Sequence, residues 1–85
     1  SAPERLARML VHLCNDYGVD SAEGIHLSIN LTQGELARWT QMSRESLNKT
    51  LNRWADEGLL AQSRGKITVK DRDRLEDIAE FGEEE

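Results

Sequence analysis

Eighty-five residues, 38% hydrophobic and 32% charged, with a net charge of −5, describe one small globular domain rather than a disordered chain. No apolar run nears the roughly 18 residues that a membrane span needs, and no signal-peptide pattern opens the chain. The single cysteine, Cys14, excludes an internal disulfide, so a reducing, cytoplasmic setting is expected.

The opening "SAPERL", without Met, reads as that of an excised fragment with Ser1 a cloning remnant. Leu6, Met9, Leu10, Leu13, Cys14 and Tyr17 then share one helical face, predicting a first helix from Pro3 to Tyr17, stopped by Gly18. A polar loop follows. In "GIHLSINL", Ile25, Leu27, Ile29 and Leu31 alternate with His26, Ser28 and Asn30, the period of a half-buried strand. Thr32 opens a second helix with capping-box spacing to Glu35, and Leu36 and Trp39 are expected to face inward. After "TQMS", Ser43 is the N-cap of a third helix. Leu47, Thr50 and Trp54, with Leu51 at the flank, form its inner face, and Gly58 ends it. The predicted span is about 43–57.

"LLAQSRGKITVK" reads as a β-hairpin turning at Gly65, with Ile67 and Val69 inward and Lys66, Thr68 and Lys70 outward. A last helix, "DRDRLEDIAEF", offers Leu75, Ile78, Ala79 and Phe81 to the body. The expected fold class is α+β: a winged helix-turn-helix over residues 1–81, with a three-helix core, a short antiparallel sheet or wing and a C-terminal helix. Residues 82–85 are expected as a frayed, solvated acidic tail.

The charge is uneven. Residues 71–85 hold eight acids against two arginines, net −6, whereas residues 32–70 hold seven bases against four acids, net +3. On the third helix, the face opposite the core carries Glu45, Asn48, Lys49 and Asn52, with Arg44 in the first turn. Arginine and lysine match guanine O6 and N7, and a carboxylate accepts from cytosine N4, so Arg44, Glu45, Lys49 and Asn48 are the candidate base readers. Ser43 and Asn52 are candidate phosphate contacts. Thr32 and Gln33 at the start of the second helix could hold one phosphate, and Arg64 and Lys66 at the wing tip another. Glu45 repels phosphate, so it either reads cytosine or pairs with Arg44 or Lys49. Spacing alone leaves open a solvated face, a base-reading face, and a helix docked on a protein partner. The docked helix would show apolar residues outward, and this one shows none.

The stretch "MSRESLNKTLNRWADEGLL" closely resembles the pattern S-R-E-S/T-V-x-R/K-x-L-x-x-L, then E-x-G-L-I, of the C-terminal DNA-binding domain of Crp/Fnr-family bacterial transcription regulators. "ERLARMLVHLC", "GIHLSINLTQGELA" and "RGKITVKDRDRLEDIA" extend the likeness over nearly the whole chain. The resemblance implies a sequence-specific domain on double-stranded DNA that reads a palindromic operator, with Arg44, Glu45 and Lys49 on the base-contacting sites. Lys49 stands where the family usually has arginine, which keeps the charge but loses the bidentate fork. Gln41 stands where the tight turn usually has glycine, predicting a non-glycine residue at positive φ or a turn of another shape.

The resemblance also implies a homodimer formed through a helix outside this chain and contact with RNA polymerase. No cofactor is expected in these residues, because any effector would bind an N-terminal sensor domain outside them. The remaining signals are bland. Cys14 lies on an apolar stripe and reads as a buried structural thiol. His12 and His26 have no second ligand at metal spacing. No nucleophile–base set assembles, and enzymatic activity is not expected.

Overall fold

The computed structural model describes residues 1–83. Its elements run α1 (Ala2–Tyr17), β1 (Gly18–Ser21), β2 (Gly24–Leu27), α2 (Gln33–Thr40), α3 (Arg44–Asp56), β3 (Leu60–Ser63), β4 (Lys66–Val69) and α4 (Arg72–Phe81). One antiparallel sheet takes the order β1-β2-β4-β3. This is an α+β winged helix-turn-helix.

Helix α1 begins one residue before its predicted start. The Ser1 hydroxyl accepts the Glu4 N–H at 3.4 Å, which satisfies an otherwise unpaired donor of the first turn. Its apolar stripe buries Leu6, Ala7, Leu10, Leu13 and Cys14. They join one continuous core with Leu27, Leu36, Leu47, Leu51, Trp54, Leu59, Leu60, Val69, Leu75 and Ile78.

The polar stretch after Gly18, expected as a loop, is strand β1. All four of its residues are exposed, so no buried alternation marks it in the sequence. It exists through backbone pairing with β2, from Gly18 opposite Leu27 to Ser21 opposite Gly24. The Ser21 hydroxyl closes the turn by donating to the Gly24 carbonyl at 2.9 Å. Gly24 sits at φ +136°, and a Cβ there would lie 2.3 Å from the Val69 carbonyl oxygen; this is where β4 crosses close to β2. The predicted strand through Leu31 stops at Leu27, yet Ile29 and Leu31 still pack against the core.

Two aromatic placements differ from expectation. Trp39 is 49% exposed, and α2 buries Leu36, Ala37 and Thr40 instead. The arc centred on those three lies about 100° around the helix from Trp39. Thr40 can be buried because its hydroxyl donates to the Leu36 carbonyl at 2.6 Å. Phe81 is 76% exposed, since it falls about 100° from the centre of the Leu75, Ile78, Ala79 stripe. Helices α1 and α4 lie together, with Arg8 Nε donating to the Ala79 carbonyl at 3.2 Å and the Arg72 guanidinium reaching Asn15 Oδ1.

Candidate nucleic-acid interface

The helix pair is locally over-determined. Thr32 Oγ1 accepts the Glu35 N–H at 3.1 Å while Glu35 Oε1 accepts the Thr32 N–H at 3.3 Å, a complete capping box that starts α2. At the other end Gln41 adopts φ 58°, ψ 36°, the left-handed conformation predicted as one possibility for this position. Its N–H and that of Met42 bond back to Arg38 and Ala37 carbonyls, at 3.3 and 3.0 Å. Arg5 Nε of α1 donates to the Thr40 carbonyl at 2.7 Å, setting a cation on the negative end of α2. Ser43 then caps α3, its hydroxyl accepting the Ser46 N–H at 3.0 Å.

Helix α3 divides as its period demands. Leu47, Thr50, Leu51 and Trp54 are buried, and Arg44, Glu45, Asn48, Lys49 and Asn52 are exposed. Glu45 pairs with Lys49 at 3.4 Å, one of the alternatives foreseen for that carboxylate. With Glu45 80% and Lys49 76% exposed, this pair contributes little to stability and exchanges readily for other partners. Asn48 and Asn52 are tethered: Gln33 Nε2 donates to Asn48 Oδ1 at 3.3 Å, and Gln62 Nε2 donates to Asn52 Oδ1 at 3.0 Å. Both bonds use the amide oxygen, so neither spends an asparagine N–H donor.

The wing turns at Arg64 (φ 53°) and Gly65 (φ 78°), with Ser63 opposite Lys66. Two successive positive-φ residues make the mirror-image turn that suits the right-handed twist of a hairpin. Lys66 is half-buried rather than free, its Nζ donating to Asn30 Oδ1 at 2.6 Å. The two candidate phosphate pairs do not stand apart. Thr32, Gln33, Arg64 and Lys66 line one groove of about 210 Å³ between the start of α2 and the wing.

Sequence reasoning missed Asn30 and Gln62, the partners that orient Lys66 and Asn52. Both lie outside the recognised motif, and only the fold brings them to it. Arg53 enters the sequence reading only as one of the seven bases of residues 32–70. In the structure it forms a two-pronged contact with Glu83, Nη1–Oε2 at 2.5 Å and Nη2–Oε1 at 2.9 Å. Those bonds, with one from Trp54 Nε1 at 2.9 Å, hold the Glu83 carboxyl below the usual carboxylate range. Gly82 and Glu83 therefore do not form the solvated tail expected of them, while Glu84 and Glu85 lie outside the described residues.

The acidic surface belongs to α4, against α1, and the candidate face belongs to α3 and the wing. Burial pushes the Cys14 thiol up. His26 Nδ1 lies 3.2 Å from Thr68 Oγ1, across β2 and β4. Among the described residues no three His, Cys, Asp or Glu side chains gather in a set that could hold a metal ion, and no helix is long and apolar enough to cross a membrane.

Comparison with known proteins agrees with this geometry. The family model for the Crp-like helix-turn-helix domain matches residues 4–78. The Anaerobic regulatory protein of Bacillus subtilis (strain 168) is 37% identical over 67 residues, which are 78% of this chain and 28% of that protein. The CRP-like cAMP-activated global transcriptional regulator of Mycobacterium tuberculosis (strain H37Rv) is 30% identical over 73 residues, 86% of this chain and 33% of that protein. The chain thus spans about a third or less of the length of these relatives.

Among solved structures, the CO-dependent transcription factor CooA from Carboxydothermus hydrogenoformans superposes with a TM-score of 0.87 at 28% identity, over 93% of this chain and 37% of that one. A CRP-family transcriptional regulator from Thermus thermophilus superposes with a TM-score of 0.82 at 29% identity, over 93% and 40%. With its fold, its capped helix pair and nearly its whole length matched, the chain belongs to the Crp-like helix-turn-helix domain family, the DNA-binding domain of transcription regulators.

Proposed function

We propose that the chain reads double-stranded DNA in a sequence-specific way, with the first turns of α3 in the major groove. Arg44, Glu45, Asn48 and Lys49 face base edges. Thr32, Gln33, Ser43, Asn52, Arg64 and Lys66 meet the sugar–phosphate backbone, four of them across the groove between α2 and the wing. The observation that carries this reading is the division of α3: its inner face is core, and its outer face is wholly polar, with separate donors and an acceptor in the first six residues. The exposed large hydrophobics, Tyr17, Val19, Trp39 and Phe81, all lie off α3, which disfavours the alternative of a protein-docking helix.

One such domain makes few phosphate contacts, so it binds weakly by itself. Two domains spaced one helical turn apart on a palindromic operator gain by effective concentration. The homodimer contact, contact with RNA polymerase and the site of any effector belong, in this reading, to the part of the whole protein that corresponds to the remainder of its relatives.

Selection of bound duplexes from a random pool tests the reading, with the chain fused to a dimerising coiled coil and Arg44→Ala run in parallel at two salt concentrations. A palindromic half-site that loses preference at one guanine in Arg44→Ala is the expected result. Identical bound and unbound pools at both salts would refute base reading and advance protein docking.

A further inference from the structure

The C-terminal half of α3 and the helix α4 leave between them an open cleft of about 520 Å³, lined in part by Arg53, Glu57, Arg74, Asp77 and Phe81. Side chains span it at two points: Arg74 Nη2 meets Glu57 Oε1 at 2.6 Å, and Arg53 meets Glu83. The second contact is the more elaborate. Trp54 is wholly buried, and its indole N–H has Glu83 Oε2 as acceptor, at 2.9 Å. A buried indole N–H left unpaired would be costly, so this acceptor matters to the helix that carries it.

The chain is shaped to deliver that acceptor. Gly82 takes φ 83°, ψ 179°, a conformation essentially reserved for glycine, while its N–H closes α4 on the Ile78 carbonyl at 2.9 Å. The turn sends Glu83 back across the cleft. The family match ends at residue 78, five residues before this carboxylate.

We propose that Glu83 is a positioning residue for DNA reading: its carboxylate clamps Arg53 and Trp54 and so sets the tilt at which α3 presents Arg44, Glu45, Asn48 and Lys49. This rests on the reading of α3 as the base-reading helix. Arg53 lies about 80° around the helix from Glu45, on the flank and not in the reading face, so the clamp acts through the helix body. The lever is long enough: Glu45 is about 13 Å along the axis from Trp54, so a tilt of about 5° displaces its end by about 1 Å. Hydrogen bonds to base edges tolerate little more than that.

The test compares the 85-residue chain with Glu83→Ala and Glu83→Gln, in a Trp39→Phe background that leaves Trp54 as the sole tryptophan. Three quantities are read well below the melting temperature: Trp54 emission, affinity for the selected duplex, and affinity for a shuffled duplex of equal length. Glu83→Ala should shift Trp54 emission to the red and weaken binding to the selected duplex roughly three- to tenfold, with the shuffled duplex unchanged. Glu83→Gln, which keeps an acceptor for the indole, should recover most of that loss.

A lowered melting temperature with an unchanged ratio of the two affinities would make Glu83 a stability cap only and overturn the proposal. Tighter binding to both duplexes, with steeper salt dependence, would overturn it by making Glu83 a mask on Arg53. A wild-type chain with no preference between the duplexes would refute the DNA reading itself, whereas preserved preference in Glu83→Ala refutes only the clamp.

Discussion

Gln41 offers a substitution whose effect can be worked out from the backbone. It holds φ 58°, ψ 36° at the turn that joins α2 to α3. A left-handed residue bearing a Cβ costs about 1–2 kcal/mol relative to glycine, whose unfolded chain in turn loses about 0.4–1 kcal/mol more entropy on folding. The hydrogen bonds at this site are made by main-chain atoms: the Gln41 N–H to the Arg38 carbonyl, and the Gln41 carbonyl accepting from Arg5 Nη2 at 3.5 Å. Glycine keeps them all, and the exposed glutamine side chain takes no burial with it. Gln41→Gly should therefore stabilise the domain by about 0.5–1 kcal/mol, raising the melting temperature by about 2–8 °C. Urea unfolding followed by far-ultraviolet circular dichroism measures this, with an unchanged slope confirming that the same surface is exposed. Gln41→Val, a β-branched residue at positive φ, should move the midpoint the other way. A glycine variant with a midpoint equal to or below wild type would refute the assignment of strain to this turn.

Three further outcomes follow from contacts already described. Trp54→Ala removes a wholly buried side chain and should cost about 3–5 kcal/mol, enough to leave much of so small a domain unfolded, while Trp39→Ala should stay within about 0.5 kcal/mol; thermal melts separate the two. Glu45→Gln breaks an exposed pair, so stability should change by less than about 0.5 kcal/mol, yet the freed Lys49 should raise affinity for shuffled duplexes and erase preference at one base pair in a binding selection. The Glu83 carboxyl is held below its unfolded range by Arg53 and then Trp54, so its contribution is present above that unfolded range and disappears as pH falls through the folded value. The stability gap between wild type and Glu83→Gln, read from melts across pH, should accordingly shrink in acid.

The helices and the wing were legible because their signals are local: caps at Thr32 and Ser43, an apolar stripe of period 3.6, and a glycine after the wing's first strand. Other features were not. Strand β1 has four exposed residues, the first a glycine, and is held by backbone pairing with β2, which hydropathy cannot register. Helical period puts Trp39 inward with Leu36 when those two are taken as the stripe, but the inner arc is centred on Leu36, Ala37 and Thr40 and leaves Trp39 outside it. Of the candidate face, the residue types and their side of α3 could be read from spacing. The tethers Gln33–Asn48, Gln62–Asn52 and Asn30–Lys66 could not, because they join residues 10 to 36 positions apart through the fold. Glu83 was hidden by its company: in a run of glutamates nothing in the sequence marks the one that meets a buried indole.

The packing of α1 along α4 has a mechanical consequence. Glu4 lies beside Gly82, close enough that a Cβ on that glycine would be 2.8 Å from the Glu4 carboxylate, and Arg8 holds the last turn of α4. Residues 4 and 82 thus lie together at one corner. A force applied at that corner reaches α2 through Arg5, whose side chain bonds the Thr40 and Gln41 carbonyls, and reaches α3 through Glu83, which holds Arg53 and Trp54. In mechanical language the corner is a coupled joint, from which a pull is felt in both helices of the pair.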